Sequence, residues 1–344
     1  MTDIKQIILE KYFERDDGMP EPNQFKITTC KFDENQKIEK DHIMIKLEYV
    51  SVDPYLRARM NSKKTFVDPF KLNEPINSGC VAKVLKSTSD RFKEGDHVSG
   101  YFDWKEIQIV KVTNQILIAD PNIAPFTAYL GICGMPGVTS YYGTVLIGKP
   151  KKGETFVINA AAGAVGTIAG QIAKVHGCRV VGICGSDEKA NSLVNDFHFD
   201  AGINYHSPTY AEDLKKACPK GIDIFYENVG GQVSDPILLL LNVHARVACC
   251  GAISVYNKKV SDDIGQRAQY IVFEKRITMQ GFLVFDYSDD DYNNAFLHLS
   301  KWLKEGKIIE KHVMNNGFDQ IIPSFIKIFD SKNNKNVGKV IIKL

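Results

Sequence analysis

From Glu154 onward the chain alternates short apolar runs with helical segments, and this alternation restricts the fold more than any other feature. ETFVINA leads into AVGTIAGQIAKVHG, RVVGIC into DEKANSLVNDF, AGINY into YAEDLKKAC, and GIDIFYENV into QVSDPILLLLN and ARVACCG. Strands that are apolar throughout, with helices between them, predict a parallel sheet covered on both faces. ITMQGFLV (277–284) and DYNNAFLHLSKWLKEG (291–306) extend the pattern by one strand and one helix. Residues 20–115 read differently. IMIKLEYVSVD (43–53), GCVAKVLKS (79–87) and HVSGYF (97–102) have strand lengths and β-branched residues, as in an irregular antiparallel barrel. The closing strand, VGKVIIKL, is expected to return to this first domain. The expected division is 1–130 with 311–344, and 131–310.

A length of 344 residues fits about two domains. A net charge of +2 gives no bulk argument for nucleic acid or an anionic membrane as partner. The basic spots at 149–152 and 335–343 are broken by Pro, Gly and apolar residues, and read as solvated faces. The start, MTDIKQIILEKYFERDD, has no signal-type apolar core, and Ile237 to Leu241 falls far short of the ~20 residues that span a bilayer. The eight cysteines form no C-x-x-C and sit mostly in apolar contexts, which predicts reduced thiols in a cytoplasmic protein.

Between the first strand and helix of the alternating region lies NAAAGAVG (159–166). A dinucleotide fingerprint has three glycines: one for a tight turn, one for close approach of pyrophosphate, one for helix–strand packing. Gly163 and Gly166 keep the last two tasks, with Ala164 and Val165 between them; Ala161 stands at the first. Alanine suits that position if its φ is negative. A pyrophosphate would then sit on the helix N-terminus, where free N–H groups and the dipole favour anions. The alternative is a tight turn without a ligand; the strand before, the helix after and the further β-α units argue against it. The predicted class is therefore α/β, a doubly wound Rossmann sheet joined to the β-barrel domain.

The end of the second strand separates NAD from NADP. NAD sites place a carboxylate there, about 20 residues on. Here the strand ends in Cys184-Gly185-Ser186, and Asp187 and Glu188 read as the first turn of a helix capped by Ser186. Lys189 could reach a 2′-phosphate, which favours NADPH; alone it could equally be an exposed helix lysine. Catalytic zinc needs three protein ligands, and the local spacings assemble no such set. Cys80 and His97 read as core or surface residues. Without a Lewis acid, reduction of a polarised C=C is favoured over oxidation of an unactivated alcohol.

Taken together, SVDPYLRARM (51–60), LGICGMPGVTSYYG (130–143), NAAAGAVG, GCRVVGICGSDEK (177–189), KACPKGIDIFYENVGG (216–231), CGAISVYN (250–257) and NVGKVII (336–342) make the chain resemble a known family. It is similar, nearly end to end, to the zinc-independent medium-chain dehydrogenases/reductases: prostaglandin reductases, plant double-bond reductases and bacterial curcumin reductases. The resemblance implies a GroES-like barrel and a Rossmann domain. It implies that NADPH delivers hydride to the β-carbon of an α,β-unsaturated ketone or aldehyde, with a proton added at the α-carbon. It places Gly163, Ala164, Val165 and Gly166 at the pyrophosphate, and Ser186, Lys189 and Tyr205 around the 2′-phosphate. Asn228 and the run Cys250, Gly251, Ala252, Ile253, Ser254 and Tyr256 lie near the cofactor. Phe282, Leu283, Val284 and Asn336 close over the nicotinamide end, which Thr139 approaches.

Charge developing on the enolate oxygen requires a donor. Tyr256 is the choice, with a tyrosine packed at the loop base as the alternative. Tyr55 is a second catalytic candidate, for lining the enone pocket, with a core role equally open. Residues 61–75 and 257–276 diverge from relatives, which leaves substrate size open. A quinone reductase of the same fold, and a non-catalytic NADPH-binding protein, are the competing readings. The family also implies a homodimer.

Overall fold

The computed structural model describes residues 1–14, 18–330 and 333–344. The acidic residues 16 and 17 of the N-terminal stretch lie outside them. The chain divides into two compact units: Met1–Leu130 with Val313–Asn334 and Val340–Leu344, and Gly131–His312 with Lys335–Lys339. The short segment 335–339 thus belongs to the second unit, within a stretch that the sequence assigned wholly to the first.

The first unit begins with a hairpin-like pair, β1 (Thr2–Leu9) against β2 (Phe25–Phe32), antiparallel. β1 carries no simple alternation (its last three residues are all buried), and the sequence reading had not identified it. β3 (His42–Ser51), β4 (Asn77–Ser87), β5 (His97–Asp103), β6 (Ile107–Lys111) and β7 (Leu117–Ile118) form most of an antiparallel sheet, with β6 pairing on β3. Register shifts between Met44 and Ile45 and between Leu47 and Tyr49 bend β3 against β4, the irregularity expected of a barrel. Ile43, Ile45, Leu47, Cys80, Ala82, Val84 and Trp104 meet in its core.

The second unit starts with α1 (Met135–Tyr141), then β8 (Thr155–Ile158), α2 (Ala164–Val175), β9 (Arg179–Cys184), α3 (Asp187–Asn195), β10 (Ala201–Asn204), α4 (Tyr210–Ala217), β11 (Ile222–Glu227), α5 (Asp235–Leu239), β12 (Leu241–Cys249), α6 (Gln269–Lys275), β13 (Thr278–Gly281) and α7 (Asp289–Lys304). The strand order is β10-β9-β8-β11-β12-β13, all parallel, which is the doubly wound arrangement. The four residues of β8 are fully buried, as a strand covered on both faces requires. α3 and α7 are capped by Ser186 and Ser288, whose side chains accept the N–H of Lys189 and Asp291. β14 (His312–Asn316), α8 (Ile321–Lys327) and β15 (Lys339–Lys343) complete the chain. β15 pairs antiparallel with β3, so the last strand does return to the first unit. Among the described residues, no helix is long and apolar enough to cross a membrane. All eight cysteines are free thiols.

Candidate cofactor site

β8 and β11 are neighbours, so the order of the sheet reverses between them, and ligands of such sheets bind outside the strand ends at this point. The loops that follow β8, β9, β11, β12 and β13 carry nearly all the residues expected to hold a cofactor.

The loop after β8 answers the question set by Ala161. The left-handed turn is made by Ala160, at φ +46°, while Ala161 has a negative φ. The Ala161 N–H donates to the Ile183 carbonyl at 2.9 Å. Its methyl fits because the adjacent strand presents Gly182: a Cβ there would lie 2.9 Å from the Ala161 Cβ and 2.7 Å from Leu193. A Cβ on Gly166 would lie 2.4 Å from the Ala160 carbonyl oxygen, so only glycine lets α2 start this close to the loop. Gly163 caps α2 without a side chain, leaving the first-turn N–H groups of Ala164, Val165 and Gly166 facing outward for an anion.

At the end of β9, Ser186 caps α3 and Asp187 and Glu188 occupy its first turn, as expected. The Asp187 carboxyl accepts a hydrogen bond from Asn204 at 3.0 Å. Tyr205 packs over Gly185: a Cβ at Gly185 would sit 3.3 Å from its hydroxyl. Lys189 is half-buried, burial pushes its ammonium below the usual range, and no carboxylate pairs with it among the described residues. A half-buried cation without a counter-ion beside Ser186, Gly185 and Tyr205 suits an incoming phosphate.

At the switch point the sequence reading named Asn228 but missed Asn159, Glu227 and Ser234, the polar residues that tie it to the end of β8. Asn159 is fully buried. Its side-chain amide donates to Glu227 at 2.6 Å and to Ser234 at 3.2 Å, and its side-chain carbonyl accepts the Asn228 N–H at 2.7 Å. The Asn228 amide donates back to the Asn159 backbone at 3.0 Å, and Glu227 also accepts the N–H groups of Val229 and Gly230. A polar residue ending each of two apolar strands, INA and YEN, was the available signal.

The loop after β12 is pinned to this network. Ile253 and Ser254 donate backbone bonds to Asn228 and Val229, both at 3.0 Å. Tyr256 folds back over the same loop: a Cβ on Gly251 would lie 3.2 Å from its hydroxyl. Burial, then the Cys250 thiol, raise the Tyr256 phenol above its ordinary value, opposed by a bond from the Ala252 backbone, so it stays protonated at neutral pH. The Cys250 thiol is pushed up to about 12 by burial.

Tyr226 is a second feature the sequence reading missed. It is fully buried, and its hydroxyl donates to the Thr139 carbonyl at 2.9 Å. The Phe282 ring meets it edge-on at 6.3 Å, and the Cys250 thiol shares a hydrogen bond with it. Thr139 spends its own hydroxyl on the Met135 carbonyl at 2.7 Å. Phe282 is buried against Tyr226, while Leu283 and Val284 are half-buried beyond it. Asn336 lies two residues before Gly338, whose N–H donates to the Ala162 carbonyl at 2.8 Å. Asn336 is thus two residues along the chain from the position that bonds the loop after β8.

In the first unit, the Tyr55 hydroxyl is buried without a hydrogen-bond partner, and burial raises it well above its ordinary value. Cys80 and His97 do not converge. Lys83 is the residue paired with His97, and Cys80, three positions earlier on β4, points to the opposite face, into the core. The His97 ring instead meets Glu48 at 3.2 Å. Among the described residues no group of three or more His, Cys, Asp or Glu is placed to hold a metal.

A doubly wound sheet with an anion-ready loop at its switch point, carried on a chain with an antiparallel β unit, defines a nucleotide-binding oxidoreductase fold. Family models agree: residues 5–118 match the N-terminal domain of oxidoreductase, and residues 164–302 match a model described as zinc-binding dehydrogenase. The chain is 36% identical over 333 residues to the NADPH-dependent curcumin reductase of Escherichia coli, covering 96% of this chain and 94% of that one. It is 36% identical over 340 residues to the NADP(+)-dependent 2-alkenal reductase of Nicotiana tabacum, covering 98% and 96%. The crystal structure of CurA in complex with NADPH from Vibrio vulnificus superposes with a TM-score of 0.89 at 35% identity, covering 98% of each chain. The chain belongs to the medium-chain dehydrogenase/reductase family, in the branch of the curcumin and alkenal reductases.

Proposed function

We propose that the protein is an NADPH-dependent reductase of the C=C bond of α,β-unsaturated ketones and aldehydes. The observation that carries the reading is the pair of loops after β8 and β9. The first presents the α2 N-terminus through Gly163 and Gly166. The second presents Ser186 and an unpaired Lys189, with Tyr205 from the end of β10 packed over Gly185, where an NAD site would place a carboxylate. NADPH, when bound, supplies the hydride. Gly163 to Gly166 hold its pyrophosphate, and Lys189, Ser186 and Tyr205 hold its 2′-phosphate. Asn228, fixed by Asn159, and the loop from Cys250 to Tyr256 line the same crevice. The backbone of Phe282 to Val284, Asn336 and Thr139 complete the lining. Tyr256 donates to the carbonyl oxygen of the substrate as charge builds there. Likeness to reductases named for curcumin and 2-alkenals supports an enone or enal substrate.

The protein works as a homodimer in the cytoplasm. Every residue of the edge strand β13 is exposed, and Phe273 and Tyr270 beside it are 76% and 68% exposed. An open edge next to exposed aromatics is a surface that a second copy can cover. Free thiols throughout suit a reducing compartment.

The test is Lys189→Ala, with both cofactors assayed on one enone. Loss of one charge-assisted bond, roughly 1.5–3 kcal/mol, raises the KM for NADPH about 10- to 100-fold and leaves that for NADH unchanged. Equal use of NADH and NADPH by the wild type removes the cofactor assignment.

A further inference from the structure

Residues 335–343 read in the sequence as a basic, solvated face, yet Lys335–Lys339 packs as part of the nucleotide unit. Gly338 sets its position. It forms a parallel bridge with Gly163, and its N–H donates to the Ala162 carbonyl at 2.8 Å. Its φ is +84°, and a Cβ would come within 1.9 Å of the Lys311 carbonyl oxygen, so this register admits only glycine. On the other side, Lys339 donates to that same carbonyl at 3.0 Å. The segment is therefore clamped along the pyrophosphate loop, with Lys335 three residues upstream of the bridge.

The position matters because the first turn of α3 is electrostatically mixed. Its N–H groups attract a phosphate, but Asp187 and Glu188 repel one. Lys335 is exposed and makes no ion pair of its own among the described residues. The Glu188 carboxyl is held below its usual range by its own backbone N–H, by Ser186, and by the charge of Lys335. Lys335 therefore lies within electrostatic reach of the turn that Ser186 caps.

The geometry points to Lys335 as a second cation that reads the 2′-phosphate, in addition to Lys189, and so as a determinant of NADPH over NADH. This rests on the cofactor reading above. Lys335 offsets the Glu188 carboxylate of the α3 first turn. Gly338 is the residue that holds it there.

Calorimetry on the full chain with 2′,5′-ADP and with 5′-AMP, which lacks only the 2′-phosphate, tests the role without turnover. For Lys335→Ala, affinity for 2′,5′-ADP falls about two- to fivefold, the scale of one solvent-accessible charge contact, and affinity for 5′-AMP is unchanged. Lys335→Glu loses more, Lys335→Arg retains wild-type binding, and the difference between wild type and Lys335→Ala shrinks at high salt. In turnover the KM for NADPH rises by the same factor at constant kcat. An unchanged affinity for 2′,5′-ADP, or an equal loss for both nucleotides, overturns the assignment. A wild type that binds 2′,5′-ADP no tighter than 5′-AMP overturns the cofactor reading itself, and the inference with it.

Discussion

Ala161 and Gly182 act as a pair. The loop tolerates a methyl where a glycine is usual because the neighbouring strand gives one up, and because the positive φ has moved to Ala160. Gly182→Ala forces a Cβ to within 2.9 Å of the Ala161 Cβ. Overpacking of this kind costs about 1–3 kcal/mol, read as a lower Tm, and Ala161→Gly in the same chain relieves part of it. If Gly182→Ala melts with the wild type, the pairing is not what makes room for Ala161. At the chemistry, Tyr256→Phe lowers kcat by about 10²–10³, the usual cost of one oxyanion donor, with little change in the KM for NADPH. Turnover within threefold of wild type removes Tyr256 from the mechanism. Ala161 was visible in the sequence as a departure, but its compensation was not, since Gly182 meets it only through the sheet register. Tyr226 was hidden for a similar reason: within FYEN it reads as one more apolar strand residue, and its hydroxyl matters only once Thr139, Cys250 and Phe282 are brought to it.

Among elements, the ends of β8 and β11 are joined by Asn159, Glu227 and Asn228. Asn159→Ala strands the Asn228 N–H and removes a partner from Glu227. Leaving buried polar groups unpaired costs about 1–3 kcal/mol, and NADPH binding weakens along with stability. Calorimetry and thermal melts check both. β9 is tied to α2 and to the turn before β10 by Asp200, which accepts the Val180 N–H at 2.7 Å and the Lys174 ammonium at 2.9 Å. Burial raises the Asp200 carboxyl, but these two partners outweigh it and hold it below the usual carboxylate range. A folded-state value below the unfolded one gives stability that is present above the unfolded pKa and lost as pH falls through the folded pKa. Unfolding of the wild type therefore steepens below about pH 4, and Asp200→Asn is less stable at pH 7 while losing less on acidification. Identical acid transitions in the two proteins would falsify the linkage. The parallel β-α series was legible because its strands are apolar throughout. β1 was not, because its burial does not alternate. α1 was not read as a helix either: MPGVTSY is short and Gly-containing, and it buries six of its seven residues through tertiary packing.

For the whole molecule, the two-part organisation could be read from the change of pattern near residue 130, but the assignment of Lys335–Lys339 to the nucleotide unit could not. It depends on one glycine whose positive φ and pairing with Gly163 exist only in the fold. The exposed edge at β13 predicts a dimer by light scattering, and Phe273→Lys, which places charge on that surface, shifts it toward monomer. A wild type that runs as a monomer at micromolar concentration rules the dimer out. The central claim is that hydride from NADPH goes to the β-carbon of an enone. Turnover of a linear enone with C4-deuterated NADPH, beside a quinone under the same conditions, tests it most directly. The account predicts a saturated ketone carrying deuterium at the β-carbon, formed faster than the quinone is reduced. An allylic alcohol, or turnover of the quinone alone, would contradict it.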